Sequence, residues 1–477
     1  RQFPAMPPLP FTARCLFICA VVLPFASPRL QAQTEAAPAV VRIQIEPQIV
    51  VSPLAADFLG FGYETSAVAR EGFFSPTNVH LVNLYRTLSP HGLVRIGGNV
   101  SDHAQFVPDG TPAARSEKDV TIINQAVLDD LGKFLRATGW KAMWGLNLAT
   151  GSKTAAVREA QAVRAALGDR LQSFEIGNEV DLHPGAKHYT NYFAAYQEYQ
   201  TAIRRALPDA VFSGPDVANN TQWAIDFVAT EAKDMKLLTH HYYRTGAMRP
   251  DATIATLLAP DSAWEKTLQK LQDASVRYGV PFRINEVNSF YGGGKAGVSD
   301  TFASALWCLD YLFLLAAHGG NGVNLETDVN QLGWISHYSP IFRDATGQLI
   351  ARPEYYGMLA FALAGNGDLI QLTASQTDIN LRAYATKNAD ELWVVLVNKD
   401  LARAANVEIS LPENHSTAAI YRLTAPAVTS RDQVTLGGAA VSPEGTWSPA
   451  ETEKAVVKNG VAFLAVPSAS AALVRLR

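Results

Sequence analysis

The amino-acid sequence predicts an α/β fold, a (β/α)8 TIM barrel followed by a C-terminal β-sandwich domain. From about residue 56, short apolar runs rich in β-branched residues alternate with longer amphipathic stretches. Eight such strand–helix repeats follow one another over roughly 300 residues, which is typical of a closed parallel barrel. From about residue 366 the pattern changes to short alternating strands with polar turns, as in a sandwich of antiparallel strands.

The eight predicted barrel strands are residues 57–64, 93–99, 141–148, 171–179, 211–217, 237–243, 281–289 and 322–328. Helical periodicity between them is clearest in residues 127–139, 190–207 and 299–319. A doubly wound sheet is the alternative, but it favours fewer strands and a glycine-rich phosphate loop after the first strand. The sequence GFGYET after the first strand lacks the spaced third glycine of such a loop.

The predicted domain organisation has four parts. Residues 1–33 are expected to form a signal peptide, and residues 34–55 carry an alternating strand expected to join the β-sandwich. The catalytic barrel is predicted for residues 56–365 and the sandwich for residues 366–477.

The N-terminal stretch has the order of a secretory signal peptide. Arg14 precedes the apolar run CLFICAVVLPFA, which is followed by the polar SPRLQAQ and is too short for a membrane span. A secreted or periplasmic protein without a membrane span is therefore expected. Cleavage near Gln33 would change the formal charge from −4 to −7, because it removes three arginines and no acid. It would also leave Cys308 as the single cysteine, predicted to be a buried packing residue without a disulfide partner.

The composition excludes several classes of protein. With 48% hydrophobic residues, 18% charged residues and a charge of −4, the chain matches neither a disordered protein nor a nucleic-acid binder. The sequence contains no HExxH, CxxC or GxSxG motif. The adjacent His240 and His241 point to opposite faces of a strand and cannot chelate one ion together. Neither a metal nor an organic cofactor is predicted.

Polar residues follow the predicted strands at the ends where barrel enzymes carry their active sites. They are Glu64, Asn99, Asp102, Asn178, Glu179, His240, Tyr243, Glu286, Asn288, Glu326 and Asp328. Glycoside hydrolysis uses two carboxylates that face each other across a sugar. Glu175 and Glu179 cannot be this pair, because four residues along a strand span roughly 13 Å and a retaining pair needs about 5–5.5 Å.

The partner of Glu179 must therefore come from another strand. Glu286, at the end of the seventh strand, is the best placed, and Glu326 on the eighth strand is its main competitor. Glu175 lies deeper in the strand. We expect it to be a buried supporting carboxylate, hydrogen-bonded to groups such as Arg95 or His240.

Several segments, taken in order, resemble glycoside hydrolase family 79, which contains β-glucuronidases and heparanases. The segments are FGYE, LVRIGGN, EIGNE, HHYY and INEVNS followed by YGGG, and the resemblance covers residues 40–477. It implies a retaining mechanism in which Glu179 is the acid/base and Glu286 the nucleophile. It also implies contacts for five more residues: Asn178 with the sugar 2-hydroxyl, Tyr243 with Glu286, His241 as support, and Glu64 and Asn99 with sugar hydroxyls.

The segment YGGGK, residues 291–295, contains three successive glycines, a pattern that favours an anion-binding loop. Glycines let backbone N–H groups approach an anion closely. The resemblance implies that Tyr291, Gly292, Gly293 and Gly294 bind a uronate carboxylate together with Tyr338, with Trp334 close by in sequence, while Lys295 would add local charge. Since the whole chain is acidic, this attraction must be local, which favours a small pocket for one uronic acid.

The resulting prediction is a retaining exo-β-glucuronidase acting on a glucuronic-acid-containing carbohydrate. Three alternatives stay open: an endo-acting heparanase-like β-glucuronidase, a neutral-sugar glycosidase, and a non-catalytic carbohydrate-binding protein. The presence of both Glu179 and Glu286 argues against the last of these. The sequence does not specify the aglycone or the oligomeric state.

Overall fold

The computed structural model describes residues 39–108, 111–114, 120–183, 188–327, 336–389, 391–413, 415–450 and 452–477. The predicted signal peptide, Asp328 and Trp334 lie outside these residues. No helix in the described ranges combines the length and the apolar character needed to cross a membrane.

The strands are, in chain order, β1 Ala39–Pro53, β2 Gly60–Glu64, β3 Leu93–Gly97, β4 Ala104–Phe106, β5 Thr121–Ile123, β6 Lys141–Leu146, β7 Leu171–Ile176, β8 Phe212–Val217, β9 Met235–Gly246, β10 Phe282–Tyr291, β11 Val323–Glu326, β12 Ile341–Arg343, β13 Leu349–Ala351, β14 Asp368–Ala374, β15 Leu381–Lys387, β16 Leu392–Asn398, β17 Ala405–Ser410, β18 Ala418–Thr424, β19 Thr435–Leu436, β20 Glu453–Lys454, β21 Val456–Lys458, β22 Val461–Val466 and β23 Ser470–Leu476. The α-helices are α1 Val79–Leu88, α2 Gly98–Ser101, α3 Gln125–Thr138, α4 Lys153–Leu167, α5 Tyr189–Ala206, α6 Thr221–Glu231, α7 Ile254–Leu258, α8 Ser262–Tyr278, α9 Phe302–Ala317 and α10 Pro353–Ala364.

Eight parallel strands form a closed barrel in the order β10-β11-β2-β3-β6-β7-β8-β9. Each of the eight strands predicted from the sequence contributes one of them, so the predicted fold class is confirmed. Parallel barrel strands are covered on both faces, which explains their continuous apolar character. The strand β3, for example, is buried at all five positions. This arrangement brings the carboxyl ends of all eight strands to one rim.

The second part of the chain forms one curled sheet of eleven mostly antiparallel strands. The strand β1 belongs to this sheet, because it pairs antiparallel with β14 and parallel with β17. Alternation along β16 gives the sheet two apolar faces. Leu392, Val394 and Leu396 lie in a core enclosed by the sheet, whereas Trp393 and Val395 join the core of the barrel.

The helices α9 and α10 lie where the barrel and the sheet meet. Nearly every residue of α9 is buried, as expected for a helix that is apolar on all sides. Cys308 lies in this helix and is a buried free thiol, as predicted. The two helices approach closely at Gly357, where a Cβ atom would lie 2.4 Å from the carbonyl oxygen of Ala305. A larger residue at position 357 would push the helices apart.

Candidate active site

The loop after β7 presents Asn178 and Glu179 together. The strand ends at Ile176, and the backbone then turns through positive φ at Gly177 (84°) and at Glu179 (44°). A Cβ atom on Gly177 would lie 2.7 Å from Val180, so glycine is required for both its conformation and its space. Neighbouring side chains of an ideal strand face opposite ways, so this bend changes the direction of the side chains that follow Gly177. A non-glycine residue at positive φ, as at Glu179, is often found at a functional site.

Glu286 lies in β10, where the pairing register with β9 shifts between residues 284 and 286. Its carboxylate is held on both oxygens. Tyr243 donates a hydrogen bond to Oε1 at 2.9 Å, and Arg95 donates one to Oε2 at 2.8 Å. The contact between Tyr243 and Glu286 is the one that the family resemblance implies.

The tertiary structure brings Glu179 and Glu286 together across the rim, although 107 positions separate them in the sequence. One ligand atom from each of Glu179, His241 and Glu286 lies within 4.8 Å of the other two. The carboxylates of retaining glycosidases are about 5–5.5 Å apart, and those of inverting enzymes are about 6.5–9.5 Å apart. The nearest oxygens of Glu179 and Glu286 are thus closer together than the carboxylates of an inverting pair, and their spacing is compatible with a retaining pair.

The same three groups are close enough to hold a metal ion. However, Glu286 Oε2 already accepts a hydrogen bond from the Arg95 guanidinium. A divalent cation on this carboxylate would lie beside a permanent positive charge, which disfavours it. The donor set therefore fits a metal ion poorly.

Arg95, fully buried on β3, is the centre of the charge network below the rim. It donates hydrogen bonds to Glu175, Asn178 and Glu286, with the Asn178 Oδ1 contact at 2.6 Å. A single guanidinium thus fixes the nucleophile candidate relative to the loop that carries Glu179. Its planar fork of five donors is suited to this bridging role.

Asp216 is a member of this network that the sequence analysis did not identify. It is the last residue but one of β8, has a φ of 59°, and accepts a hydrogen bond from Arg95 at 2.9 Å. His241 Nε2 lies 3.9 Å from its carboxylate. Burial by itself would raise the pKa of Asp216, but the charges of Arg95 and His241 outweigh it and hold the pKa below its usual value. Its position at the end of the predicted strand 211–217 was the signal that could have found it.

Glu175 lies in the barrel interior, where its carboxylate accepts hydrogen bonds from Arg95 and from Asn285. Burial, reinforced by the charge of Asp216, raises the pKa of Glu175 well above its usual value. Burial thus favours the protonated form of Glu175, whereas Asp216, bonded to the same guanidinium, is held in its ionised form. This geometry matches the supporting position predicted for Glu175.

The two adjacent histidines face opposite ways. The His240 ring faces away from the two glutamates, and its Nε2 lies 3.2 Å from the Thr221 hydroxyl. Burial lowers the pKa of His240 to about 4. The ring of His241 faces the rim, with Nδ1 at 3.3 Å from Glu179 and 3.7 Å from Glu286. Although burial opposes the charged form, the nearby carboxylates raise the pKa of His241 above its usual value. The two carboxylates thus favour the protonated form of the imidazole that lies between them.

The pKa of Glu286 follows from the same contacts. Burial alone would raise it, but the charges of His241 and Arg95 and the hydrogen bonds from Tyr243 and Arg95 lower it below the usual value. Glu286 is therefore ionised at neutral pH, as a nucleophile must be.

Replacing Tyr243 with phenylalanine is expected to shift the acidic limb of the kcat/KM profile to higher pH by about one unit. The hydroxyl stabilises the ionised form of Glu286, so its removal raises the pKa of that carboxyl and makes the active form appear later as pH rises. The measurement is a pH–rate profile on an aryl glycoside. Tyr421→Phe, which changes a tyrosine of the β-sheet, is the control. An unshifted acidic limb in the Tyr243 variant would argue against Glu286 as the group that titrates.

Three other predicted residues lie around the pair. Glu64 accepts a hydrogen bond from the backbone N–H of Val100 at 2.8 Å, and burial raises its pKa to about 8. Asn99 is exposed and accepts a hydrogen bond from Asn178. Glu326, the competitor for the nucleophile position, is buried with its carboxylate against Gly62.

The segment Tyr291–Lys295 forms a tight loop after β10. Gly292, Gly293 and Gly294 have φ values of 87°, 83° and 80°. The N–H of Gly294 donates to Phe290 and that of Lys295 to Ser299, while the described residues provide no recorded acceptor for the N–H groups of Gly292 and Gly293. Two successive amides are thus available to an anion.

The structure places Tyr338 beside this loop, and its ring stacks against Tyr243 at 6.2 Å. Tyr291 contacts the Tyr243 ring edge-on, with the two ring centroids 6.3 Å apart. Gly294 is the third glycine of this loop, and a Cβ atom on it would be 2.8 Å from the backbone nitrogen of Tyr338. The described residues that line the adjacent cavity include neither Gly294 nor Lys295. The expected local charge of Lys295 is therefore not found in the cavity wall.

Two of the polar residues expected at the rim have structural contacts instead. Asn288 is fully buried and donates hydrogen bonds to the carbonyl oxygens of Glu326 and Tyr338. Asp102 accepts from the backbone N–H groups of Leu148 and Ala149. Both side chains hold loops of the rim in place.

A cavity of about 680 Å³ covers the pair. Its wall includes Glu64, Asn99, Glu179, His241, Tyr243, Glu286, Tyr291, Gly292, Gly293, Glu326 and Tyr338. Two carboxylates at retaining distance, an arginine-held nucleophile candidate and a nearby amide nest are what the hydrolysis of an acidic sugar requires.

Two family models match the chain. The glycosyl hydrolase family 79 N-terminal domain matches residues 119–313, and the family 79 C-terminal beta domain matches residues 378–473. The chain belongs to glycoside hydrolase family 79. The resemblance seen in its sequence motifs is thereby confirmed.

Relatives of this family 79 chain include the β-glucuronidase of Aspergillus niger, 23% identical over 392 residues that cover 72% of this chain and 69% of the relative. The baicalin-β-D-glucuronidase of Scutellaria baicalensis is 22% identical over 340 residues, or 62% of each protein. The chain thus spans about two thirds of the length of these relatives. A 4-O-α-L-rhamnosyl-β-D-glucuronidase from Fusarium oxysporum, solved as a Rha-GlcA complex, superposes with a TM-score of 0.75 at 18% identity, covering 91% of this chain and 99% of that one. This likeness shows the shared fold.

Proposed function

We propose that this protein is a retaining exo-β-glucuronidase in which Glu286 is the nucleophile and Glu179 the acid/base. The observation that carries the proposal is the short distance between these two carboxylates at the base of a cavity. The glycine loop at the same cavity supports an acidic sugar as substrate. The glucuronidase relatives support the same substrate class.

In the first step, Glu286 attacks the anomeric carbon while Glu179 gives its proton to the leaving oxygen. The bond to the aglycone breaks, and a glycosyl ester forms on Glu286. The family resemblance implies that Asn178 hydrogen-bonds the sugar 2-hydroxyl; its amide oxygen is held by Arg95 and its amide nitrogen donates to Asn99, so the sugar would have to replace the contact with Asn99. The contact with the 2-hydroxyl strengthens as positive charge develops on the sugar ring.

In the second step, Glu179 accepts a proton from water, and the resulting hydroxide displaces Glu286 from the anomeric carbon. The product sugar keeps the β configuration, and both carboxyl groups return to their starting protonation states. His241, whose protonated form the two carboxylates favour, would stabilise Glu286 when it leaves as an anion.

The carboxylate of the sugar would accept hydrogen bonds from the N–H groups of Gly292 and Gly293 and from the hydroxyl of Tyr338. The described cavity wall contains no lysine or arginine, and its histidine His241 faces the two glutamates, so backbone amides and a hydroxyl would recognise the acid. A closed pocket of this kind fits one terminal uronic acid.

Analysis of product size on a glucuronate-containing glycan separates exo from endo action, since only an endo enzyme releases long fragments early.

The variant Gly294→Ala is expected to lower the ratio of kcat/KM for an aryl β-D-glucuronide to that for the aryl β-D-glucoside by about tenfold or more. The added Cβ atom would collide with the Tyr338 backbone and move the amide nest away from the tyrosine. The matched control is Gly347→Ala, because Gly347 has a φ of 86° with open space around its Cβ position. An unchanged ratio would contradict the assignment of this loop. A wild-type preference for the glucoside would contradict the glucuronidase proposal itself.

We also propose that residues 1–33 direct export, on the basis of their sequence pattern. Expression of the full chain followed by N-terminal sequencing of the protein in the periplasm or medium tests this. Retention in the cytoplasm with an intact N-terminus would contradict it.

A further inference from the structure

The cavity is larger than one sugar ring, and the barrel order divides its wall into two sides. About 680 Å³ falls within the range that holds a drug-sized ligand. The glycine loop follows β10, Tyr338 comes after β11, and Glu64 ends β2. These three strands are consecutive in the barrel. The other side is formed by the segments after β7, β8 and β9. We call this side the acceptor wall, formed by Leu182, Ala218, Asn219, Thr221, Ala263 and Trp264.

The acceptor wall is on the side of Glu179. Leu182 follows Glu179 by three residues in the same loop. The carboxylate of Asp181 accepts hydrogen bonds from the N–H groups of Ala218 and Asn219, which ties the loop after β7 to the loop after β8. Because the acid/base protonates the leaving oxygen, the group attached to that oxygen must lie along this wall.

The chemistry of the acceptor wall is uncharged and partly apolar. Leu182 is 54% exposed although it is a large aliphatic residue, and Ala263 is exposed as well. Trp264 stacks on Tyr242 at 4.1 Å, which gives the wall a rigid aromatic base. Among the described residues, none that lines the cavity is a lysine or an arginine.

One charged side chain, Asp261, lines this side of the cavity next to the acceptor wall, and it already has partners. Asp261 accepts hydrogen bonds from the N–H of Trp264 and from the hydroxyl of Tyr242, and it pairs with Arg244 at 3.0 Å. The positive charge of Arg244 is therefore neutralised by Asp261 within the protein. An anionic acceptor, such as a sulfated sugar, would meet carboxylates and find no free positive charge in the described wall.

We infer that the acceptor wall binds an uncharged, apolar aglycone, such as an aromatic alcohol, next to the glucuronic acid. This inference rests on the proposed function and specifies the class of glucuronide that the enzyme hydrolyses. Burial of the aglycone against Leu182 and Trp264 supplies binding energy that an anionic sugar would not receive.

The test compares a neutral phenyl β-D-glucuronide with its ring-sulfonated counterpart, using wild type, Leu182→Lys and Leu401→Lys. Leu401 is 48% exposed on the β-sheet domain and is the matched control. We expect wild type to prefer the neutral substrate by about tenfold or more in kcat/KM. The lysine at position 182 should lower this preference by about threefold to tenfold, whereas Leu401→Lys should leave it unchanged.

The outcomes separate the two proposals. A wild-type preference for the sulfonated substrate, or an equal effect of both lysines, would overturn the inference while leaving the glucuronidase proposal intact. Hydrolysis of neither glucuronide would overturn the proposed function and the inference with it. Methyl β-D-glucuronide serves as a third substrate: a rate on it that falls as much as the rate on the phenyl glucuronide would mean that the lysine acts on Glu179, which would overturn the inference.

Discussion

Replacing Glu286 with glutamine is expected to lower kcat/KM on an aryl β-D-glucuronide by about 10⁴-fold or more. Glutamine keeps the shape of the side chain but cannot attack the anomeric carbon. Arg95 would retain its contacts with Glu175 and Asp216, so the fold should tolerate the change. Steady-state kinetics and the thermal midpoint of the variant are the measurements.

Covalent labelling makes this prediction specific to one carboxylate. A 2-deoxy-2-fluoro glucuronide with a good leaving group should add its sugar to the peptide that contains Glu286, as detected by mass spectrometry. Glu326→Gln is the matched control, because Glu326 is another buried glutamate of the same cavity. It should still be labelled at Glu286. A label on Glu326 would show that the nucleophile has been assigned to the wrong strand.

Replacing Glu179 with alanine is expected to lower kcat by about 10²- to 10⁴-fold on a substrate whose leaving group needs little protonation. The covalent intermediate should still form, because a good leaving group can depart without an acid. Its hydrolysis should become rate-limiting, since no base activates the water.

Azide should restore turnover of the Glu179 variant, because this small anion needs no proton removal and fits the space left by the carboxylate. The product should be a β-glucuronosyl azide, which NMR distinguishes from the α form. The control is Glu64→Ala, for which no azide product is expected. An α-azide from the Glu179 variant would mean that azide attacks the substrate directly in place of a missing nucleophile, and it would reverse the roles of the two carboxylates.

Much of the fold could be predicted, because its signals are local. The eight barrel strands are continuous apolar runs, and such runs depend on burial at every position of a parallel strand. The bend after β7 was predictable for a different reason: Asn178 and Glu179 are neighbours, so both could reach one site only if the chain turned at Gly177. Cys308 was identifiable as buried because its whole helix is apolar.

The parts of the site that could not be predicted depend on contacts between distant segments. Asp216 carries no motif, and its importance comes from the position of Arg95, which is 121 residues away. Asn288 has the same sequence signal as Glu286, but its amide faces the interior and binds the Tyr338 loop. Lys295 follows the glycines directly, and local sequence does not reveal that it lies outside the described cavity wall.

The sequence by itself determined the kind of chemistry: a barrel with glutamates at strand ends, a glycine loop suited to an anion, and the motifs of family 79. The tertiary structure decided which groups work together. Closure of the barrel brings one oxygen of Glu179 and one of Glu286 within 4.8 Å of each other, and the charges of His241 and Arg95 lower the pKa of Glu286. The physical reason is that residue types and patterns are local properties, whereas distances and electrostatic fields arise only when strands distant in sequence become neighbours.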